Sequence, residues 1–85
     1  MSRRDKLIDR LLSRPKDFTF QETITLLGHF GYDEVPGGKT GGSRVAFVNS
    51  DKDYIRIHKP HPRNILKSYQ VNNLINDLTE RGLLR

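Results

Sequence analysis

The sequence predicts an α+β domain in which helices cover one face of an antiparallel sheet. Apolar residues recur at helical spacing near both ends of the 85-residue chain, whereas in the middle they alternate or form β-branched and aromatic runs. A polar turn between two of the middle runs indicates a hairpin, and antiparallel strands with helices on one face make a two-layer domain. We therefore expect one domain over residues 1–85, with the order helix, helix, three short strands, helix.

The first two helices are indicated by apolar stripes and by signals at their ends. The first stripe consists of Leu7, Ile8, Leu11 and Leu12, which predicts a helix over residues 5–13 that stops before Pro15. The second helix begins at a capping box made by Thr19 and Glu22, and Gly31 closes it in a left-handed conformation. Its predicted buried face consists of Phe20, Ile24, Leu26, Leu27 and Phe30.

Three short strands and a last helix follow. Residues 32–35 form the first candidate strand, and residues 44–48 and 54–58 form a hairpin around the polar turn at 49–53. Pro60 and Pro62 end the last strand, because proline cannot donate to a ladder. The final helical stripe consists of Val71, Leu74, Ile75 and Leu78, and the helix ends near Arg81-Gly82.

The excess of positive charge lies in the middle of the chain. The net charge is +5, and residues 37–67 contain seven basic and two acidic residues, whereas basic and acidic residues balance in the rest. The seven are Lys39, Arg44, Lys52, Arg56, Lys59, Arg63 and Lys67. A basic concentration of this kind favours a polyanionic partner such as RNA, although it also fits a solvated face that aids solubility.

Several functional classes are not expected. No apolar run is long enough to span a membrane, and the absence of cysteine excludes disulfides, thiolate metal sites and thiol catalysis. The glycine-rich segment at 37–42 lacks a following helix and so does not predict a nucleotide-phosphate loop. It predicts either a mobile connector or a loop that approaches a nucleic-acid backbone closely. We expect no cofactor and a cytoplasmic location.

Three histidines are candidates for chemistry. His29 falls between stripe residues of the second helix and is expected to be partly exposed and structural. His58 and His61 flank Lys59-Pro60, and two histidines without a third ligand make a poor zinc site, so no metal is predicted. Imidazole titrates near neutrality, which suits it to proton transfer at a ribose 2′-hydroxyl. The same basic segment also fits phosphate binding without cleavage.

Three segments in succession carry a resemblance to a known family. A helix ends in Phe-Gly-Tyr at residues 30–32, Gly-Lys-Thr-Gly-Gly-Ser enters a strand at 38–43, and His-Lys-Pro-His-Pro follows the next strand at 58–62. Their order and spacing resemble the HicA family, the small toxin ribonucleases of bacterial HicAB toxin–antitoxin systems. The resemblance implies a fold like a double-stranded-RNA-binding domain, with a three-stranded antiparallel sheet on two helices. Residues 18–84 would form this core, and residues 1–15 would be an N-terminal helical extension.

The resemblance also implies cleavage of mRNA and neutralisation by a HicB-type antitoxin, but one residue departs from the family pattern. The family's catalytic histidine belongs to a Gly-Ser-His motif, and here Gly42 and Ser43 are followed by Arg44. Arginine stays protonated and cannot act as a general base, although it can hold a phosphate through two hydrogen bonds. Three interpretations follow: the base has moved to His58 or His61, the chain binds RNA with little or no cleavage, or residue 44 carries an inactivating change.

The leading hypothesis is a metal-independent endoribonuclease that is monomeric when free and forms a hetero-oligomer with its antitoxin. Its catalytic candidates are His58, His61 and Arg44. Its candidate RNA-binding residues are Lys39, Ser43, Arg44, Arg56, Lys59 and Arg63. One alternative is an RNA-binding module without catalysis, and another is a basic face that docks an acidic protein, which for a toxin would be its antitoxin.

Overall fold

The structure is a computed structural model that describes residues 3–35, 44–60 and 63–84, residue 44 by its backbone only. Its helices are α1 (Arg3–Leu12), α2 (Phe20–His29) and α3 (Ser68–Glu80). Its strands are β1 (Asp33–Glu34), β2 (Arg44–Val48) and β3 (Tyr54–His58). This order confirms the predicted α+β class. The predicted glycine-rich loop at 37–42 lies outside the described residues. Within the described part of the chain, no helix is both long enough and apolar enough to cross a membrane.

The sheet is antiparallel throughout, with the order β1-β2-β3. Residues Ile55 and Ile57 of β3 are buried, whereas Tyr54, Arg56 and His58 alternate with them and are exposed. One face of the sheet therefore packs on the core, and the other is open to solvent. Among the described residues β3 is an edge strand, because it pairs with β2 alone.

β1 is shorter than the four residues predicted, because the backbone N–H of Tyr32 bonds to the last turn of α2 instead of to a strand. Gly31 has a φ of +86°. Its N–H donates to the carbonyl of Gly28 at 3.0 Å, and the N–H of Tyr32 donates to the carbonyl of Leu27 at 2.9 Å. These two bonds form a Schellman motif, which satisfies carbonyls at the helix end. The predicted left-handed role of Gly31 is confirmed.

The beginning of α2 also follows its sequence signal. Glu22 N–H donates to the Thr19 hydroxyl at 3.0 Å, and the Glu22 carboxylate accepts from the Thr19 N–H at 3.0 Å, which completes the capping box. Phe20, Leu26 and Leu27 are buried as predicted. Ile24 and Phe30 are half-buried and pack against the edge of the core rather than within it.

α1 is part of the hydrophobic core. Ile8 and Leu11 are buried in the same cluster as the apolar residues of α2, α3 and the sheet. The predicted apolar stripe includes one residue that does not belong to the core, since Leu12 at the end of the helix is 38% exposed. The helix runs over Arg3–Leu12 instead of 5–13, and its last turns are closed by Ser13 and Arg14 N–H groups.

Arg10 connects α1 to the beginning of α2. Its Nε donates to Glu22 Oε2 at 2.6 Å, and its Nη2 donates to Asp17 Oδ1 at 3.2 Å. The guanidinium carbon also lies 5.7 Å from the ring centroid of Phe18. The Arg10 hydrogen bond, aided by those from Thr19 and opposed by partial burial, holds the pKa of the Glu22 carboxyl below its ordinary value.

The hairpin turn is tied to the end of α3. Tyr32 Oη donates to Asp53 Oδ2 at 2.5 Å, and Arg81 Nε donates to the same oxygen at 2.6 Å. Arg81 Nη2 also donates to the Tyr54 carbonyl at 3.2 Å. The hydrogen bonds from Arg81 and Tyr32 lower the pKa of Asp53, and burial together with the bond to Asp53 raises the pKa of Tyr32. This cluster fixes the turn end of the hairpin.

The burial of α1 predicts unequal effects at two neighbouring leucines. Leu11→Ala is expected to lower the free energy of unfolding by about 2–5 kcal/mol, because it leaves a cavity in the core. Leu12→Ala, on the exposed side of the same turn, should change it by about 0.5 kcal/mol or less. Urea denaturation of both variants measures the difference. Equal losses would contradict the placement of α1 in the core.

The Arg10–Glu22 pair predicts a contribution to stability that depends on pH. Because the folded pKa of Glu22 is lowered, its stabilisation is complete above the unfolded value of about 4.3 and is lost as the pH falls through the folded value. Wild type should therefore be more stable than Glu22→Gln at pH 7, and the difference should shrink in acid. Thermal unfolding across this pH range tests it, with Glu34→Gln, an exposed glutamate, as the control. A constant difference would refute the prediction.

Candidate nucleic-acid interface

The open end of the β2–β3 hairpin brings two of the predicted site residues together. In the register of the two strands, Arg44 lies directly opposite His58. Directly opposed residues of antiparallel strands have Cβ atoms about 4.5–5.5 Å apart and belong to the same face. His58 is exposed on the open face of the sheet. Position 44 thus belongs to that face, opposite His58.

The other exposed residues of β3 continue in a row from this pair. Arg56 lies opposite Ala46, and Tyr54 lies opposite Val48. The guanidinium carbon of Arg56 lies 5.3 Å from the Tyr54 ring centroid, which is within cation–π range. The row therefore carries an aromatic ring, a cation and an imidazole in succession.

Charge is distributed unevenly along the hairpin. Lys59 directly follows His58, and Arg63 is also exposed. Lys52, by contrast, lies in the hairpin turn at the opposite end, with a φ of +65°, and shares that turn with Asp51 and Asp53. Lys52 thus lies near carboxylates at the turn end of the hairpin, whereas Lys59 lies at the His58 end, away from the turn carboxylates.

Gln70 of α3 holds the His58 end of the strand, and sequence reasoning missed it. Its Nε2 donates to the His58 carbonyl at 2.8 Å, and its Oε1 accepts from the Lys67 N–H at 2.9 Å. The side chain is therefore satisfied at both ends, although Gln70 is only 8% exposed. A glutamine three residues after a helix N-cap is a capping signal. Lys67 is not a usual N-cap residue, so the sequence did not indicate that Gln70 caps α3.

The predicted site residues fall into three groups. Residue 44 and His58 are brought together by the strand register. Arg56, Lys59 and Arg63 are exposed, as contact with a polyanion requires. Lys39, Ser43 and His61 lie outside the described residues. His29, which was expected to be partly exposed, is exposed at the last position of α2.

One of the comparisons with known proteins gives a match. Residues 20–79 match a family model described as the HicA toxin of bacterial toxin–antitoxin systems. The match spans α2, the whole sheet and almost all of α3, whereas α1 lies outside it. No curated protein and no solved structure matches the chain.

Gln70 is expected to support both the fold and the position of the strand end. Gln70→Ala should lower the free energy of unfolding by about 1–3 kcal/mol, because a strand carbonyl and a helix N–H lose their partners. Gln21→Ala, the same change at an exposed position of α2, should have a much smaller effect. Chemical denaturation compares the two variants. Similar losses would show that the Gln70 bonds contribute little.

Proposed function

Because the chain belongs to the HicA toxin family of bacterial toxin–antitoxin systems, we propose that it is an endoribonuclease that cleaves mRNA without a metal ion. The observation that carries this proposal is the pairing of Arg44 with His58 at the open end of the hairpin. Position 44 lies opposite the exposed His58, and an imidazole base with a cation that offsets phosphoryl charge suits cleavage of a phosphodiester.

In the proposed reaction RNA supplies its own nucleophile. Neutral His58 accepts the proton of a ribose 2′-hydroxyl, and the 2′-oxygen forms a bond to the adjacent phosphorus. The bond from phosphorus to the 5′-oxygen of the next nucleotide breaks, and that oxygen takes up a proton from a protonated histidine or from water. The products are a 2′,3′-cyclic phosphate and a 5′-hydroxyl end. DNA lacks the 2′-hydroxyl and is not a substrate.

Arg44 takes a different part from the histidine usual at this position of the family. Its guanidinium is protonated at all physiological pH values, so it offsets the negative charge that develops on the phosphoryl oxygens. The base is then supplied from the neighbouring strand by His58. His61 is the alternative base or the acid that protonates the leaving oxygen, an assignment that rests on the sequence segment His58–His61 alone.

The remaining candidates bind the RNA backbone. Lys39, Ser43, Arg56, Lys59 and Arg63 are proposed to contact phosphates on either side of the cleaved bond. Arg56, Lys59 and Arg63 are exposed, which supports this role. We propose that the free protein is monomeric and acts in the cytoplasm, and that an acidic HicB-type antitoxin neutralises it in a hetero-oligomer by covering the same basic surface.

A second candidate function is RNA binding without cleavage. The observation that favours it is the presence of Arg44 where the family usually has its catalytic histidine. The two functions differ in their products. A binding module retains intact RNA with an affinity that falls steeply with salt, because phosphate contacts release counterions. An endoribonuclease yields cyclic-phosphate ends.

The catalytic assignment predicts the effects of three substitutions on RNA cleavage in the presence of a chelator. His58→Ala should lower the cleavage rate by about 10²- to 10⁴-fold, because the base is lost. Arg44→Ala should lower it through the loss of charge stabilisation, and His61→Ala tests the alternative base. His29→Ala is the matched control, since its imidazole is exposed at the end of α2. Unchanged cleavage in all three site variants would overturn the assignment.

A second arm of the same experiment uses the strand pairing. Arg44→His in the His58→Ala background places an imidazole on the opposite strand of the same pair, which restores the family's Gly-Ser-His. Cleavage should recover in part. Recovery supports a base that has exchanged strands. If the wild type leaves RNA intact and Arg44→His alone creates cleavage, the chain is an RNA-binding module.

A further inference from the structure

We propose that the groove between β3 and α3 is a nucleobase pocket, in which Tyr69 stacks on, and Asn73 hydrogen-bonds to, a base next to the RNA bond cut at His58. This inference deepens the proposed function and rests on it for the identity of the ligand. Residues of β3 and α3 line the groove, and the structure describes all of these residues. Its floor and its lips have different chemistry.

The groove has an apolar floor and polar lips. Ile57 and Leu74 line its floor, and both are buried in the core. Arg56 and His58 lie on the strand side, and Tyr69, Asn73 and Asp77 lie on the helix side. An apolar floor with a few polar groups around it is typical of sites for planar ligands. The groove also shares His58 with the proposed cleavage site, so a ligand in it lies beside the reacting phosphate.

Two hydrogen bonds fix which end of the groove is close to His58. Gln70 donates to the His58 carbonyl, whereas Arg81 donates to the Tyr54 carbonyl at the beginning of the same strand. α3 therefore runs antiparallel to β3, and its first turns accompany the His58 end. Tyr69 and Asn73 lie in these turns. Asp77 lies towards the Tyr54 end, where its carboxylate is 3.8 Å from the Arg81 guanidinium.

The side chain of Tyr69 lies outside the buried core. It is 56% exposed in the first turn of α3, and its hydroxyl makes no hydrogen bond among the described residues. A single exposed aromatic residue on a helix is ordinary by itself. This one borders an apolar groove that the cationic side chain of Arg56 also lines. Aromatic rings next to basic side chains are how proteins stack the bases of single-stranded nucleic acids.

Asn73 provides the polar recognition. It follows Tyr69 by four residues, so the two side chains occupy one face of the helix. Its amide makes no hydrogen bond within the described ranges and offers one acceptor and a pair of donors to the groove. This set complements the adjacent donor and acceptor of adenine. We therefore expect a preference for adenine next to the cut.

The test measures cleavage of single-stranded RNA and binding of a 2′-O-methyl RNA of the same sequence, which lacks the nucleophile and stays intact. Tyr69→Ala should weaken binding and lower kcat/KM by about 5- to 100-fold, which is the usual range for loss of one stacked base. Tyr69→Phe keeps the ring and should retain both. Asn73→Ala should reduce the preference for adenine, with Asn76→Ala, an exposed residue of the same helix, as its matched control.

RNAs that lack one base next to the cut provide the decisive comparison. Loss of that base should weaken binding to the wild type but not to Tyr69→Ala, because the variant has already lost the stacking partner. If Tyr69→Ala binds and cleaves RNA as the wild type does, the pocket is refuted while the endoribonuclease stands. If the wild type leaves RNA uncleaved but Tyr69→Ala still binds the 2′-O-methyl RNA more weakly, the pocket stands and the proposed function fails. If Tyr69→Ala changes inhibition by an acidic antitoxin alone, the groove binds protein and the proposal is wrong.

Discussion

The pairing of β2 with β3 is the constraint on which both the core and the candidate site depend. Side chains alternate between the two faces of a sheet, so a slip of one residue in β3 would turn Ile55 and Ile57 to solvent. The same slip would remove His58 from its place opposite Arg44. The pairing is held at both ends by side chains from elsewhere: Asp53 is bound by Tyr32 and Arg81 at the turn, and Gln70 binds the His58 carbonyl. Burial of the core thus also aligns the two residues assigned to catalysis.

Local signals in the sequence were sufficient for most of the elements. The strands at 44–48 and 54–58, the capping box at Thr19 and the left-handed Gly31 were all predicted, because each depends on residues that are close in sequence. The contacts that position the site were not predicted. Gln70 and His58 are twelve residues apart, and Asp53 and Arg81 are twenty-eight apart. Such pairs follow from how helices pack on the sheet, which periodicity does not specify. The exposure of Leu12 was missed for the same reason. Apolar spacing along α1 does not indicate how far α2 and α3 extend over it, and Leu12 lies at the end of the helix.

The family membership and the residues contribute different parts of the functional argument. The match over residues 20–79 shows that the chain belongs to the HicA toxin family, and the proposed chemistry rests on this chain's own side chains. In the proposed mechanism the base lies on His58, directly opposite position 44, where the family has its histidine. Such a move across one pair of the ladder would keep the reacting phosphate near the same place, because opposed positions of two strands belong to the same face of the sheet.

The position of α1 has a consequence for where this protein can be divided. The helix lies outside the span that matches the family, yet Leu11 is fully buried and Arg10 reaches the capping residue Glu22. A fragment trimmed to the matched span would lose one wall of the hydrophobic interior, namely Ile8 and Leu11 of α1 together with Phe18. The segment that matches the family is therefore shorter than the unit that shares one hydrophobic core, and a shuffled or fused version of this toxin would have to carry the helix along with the sheet.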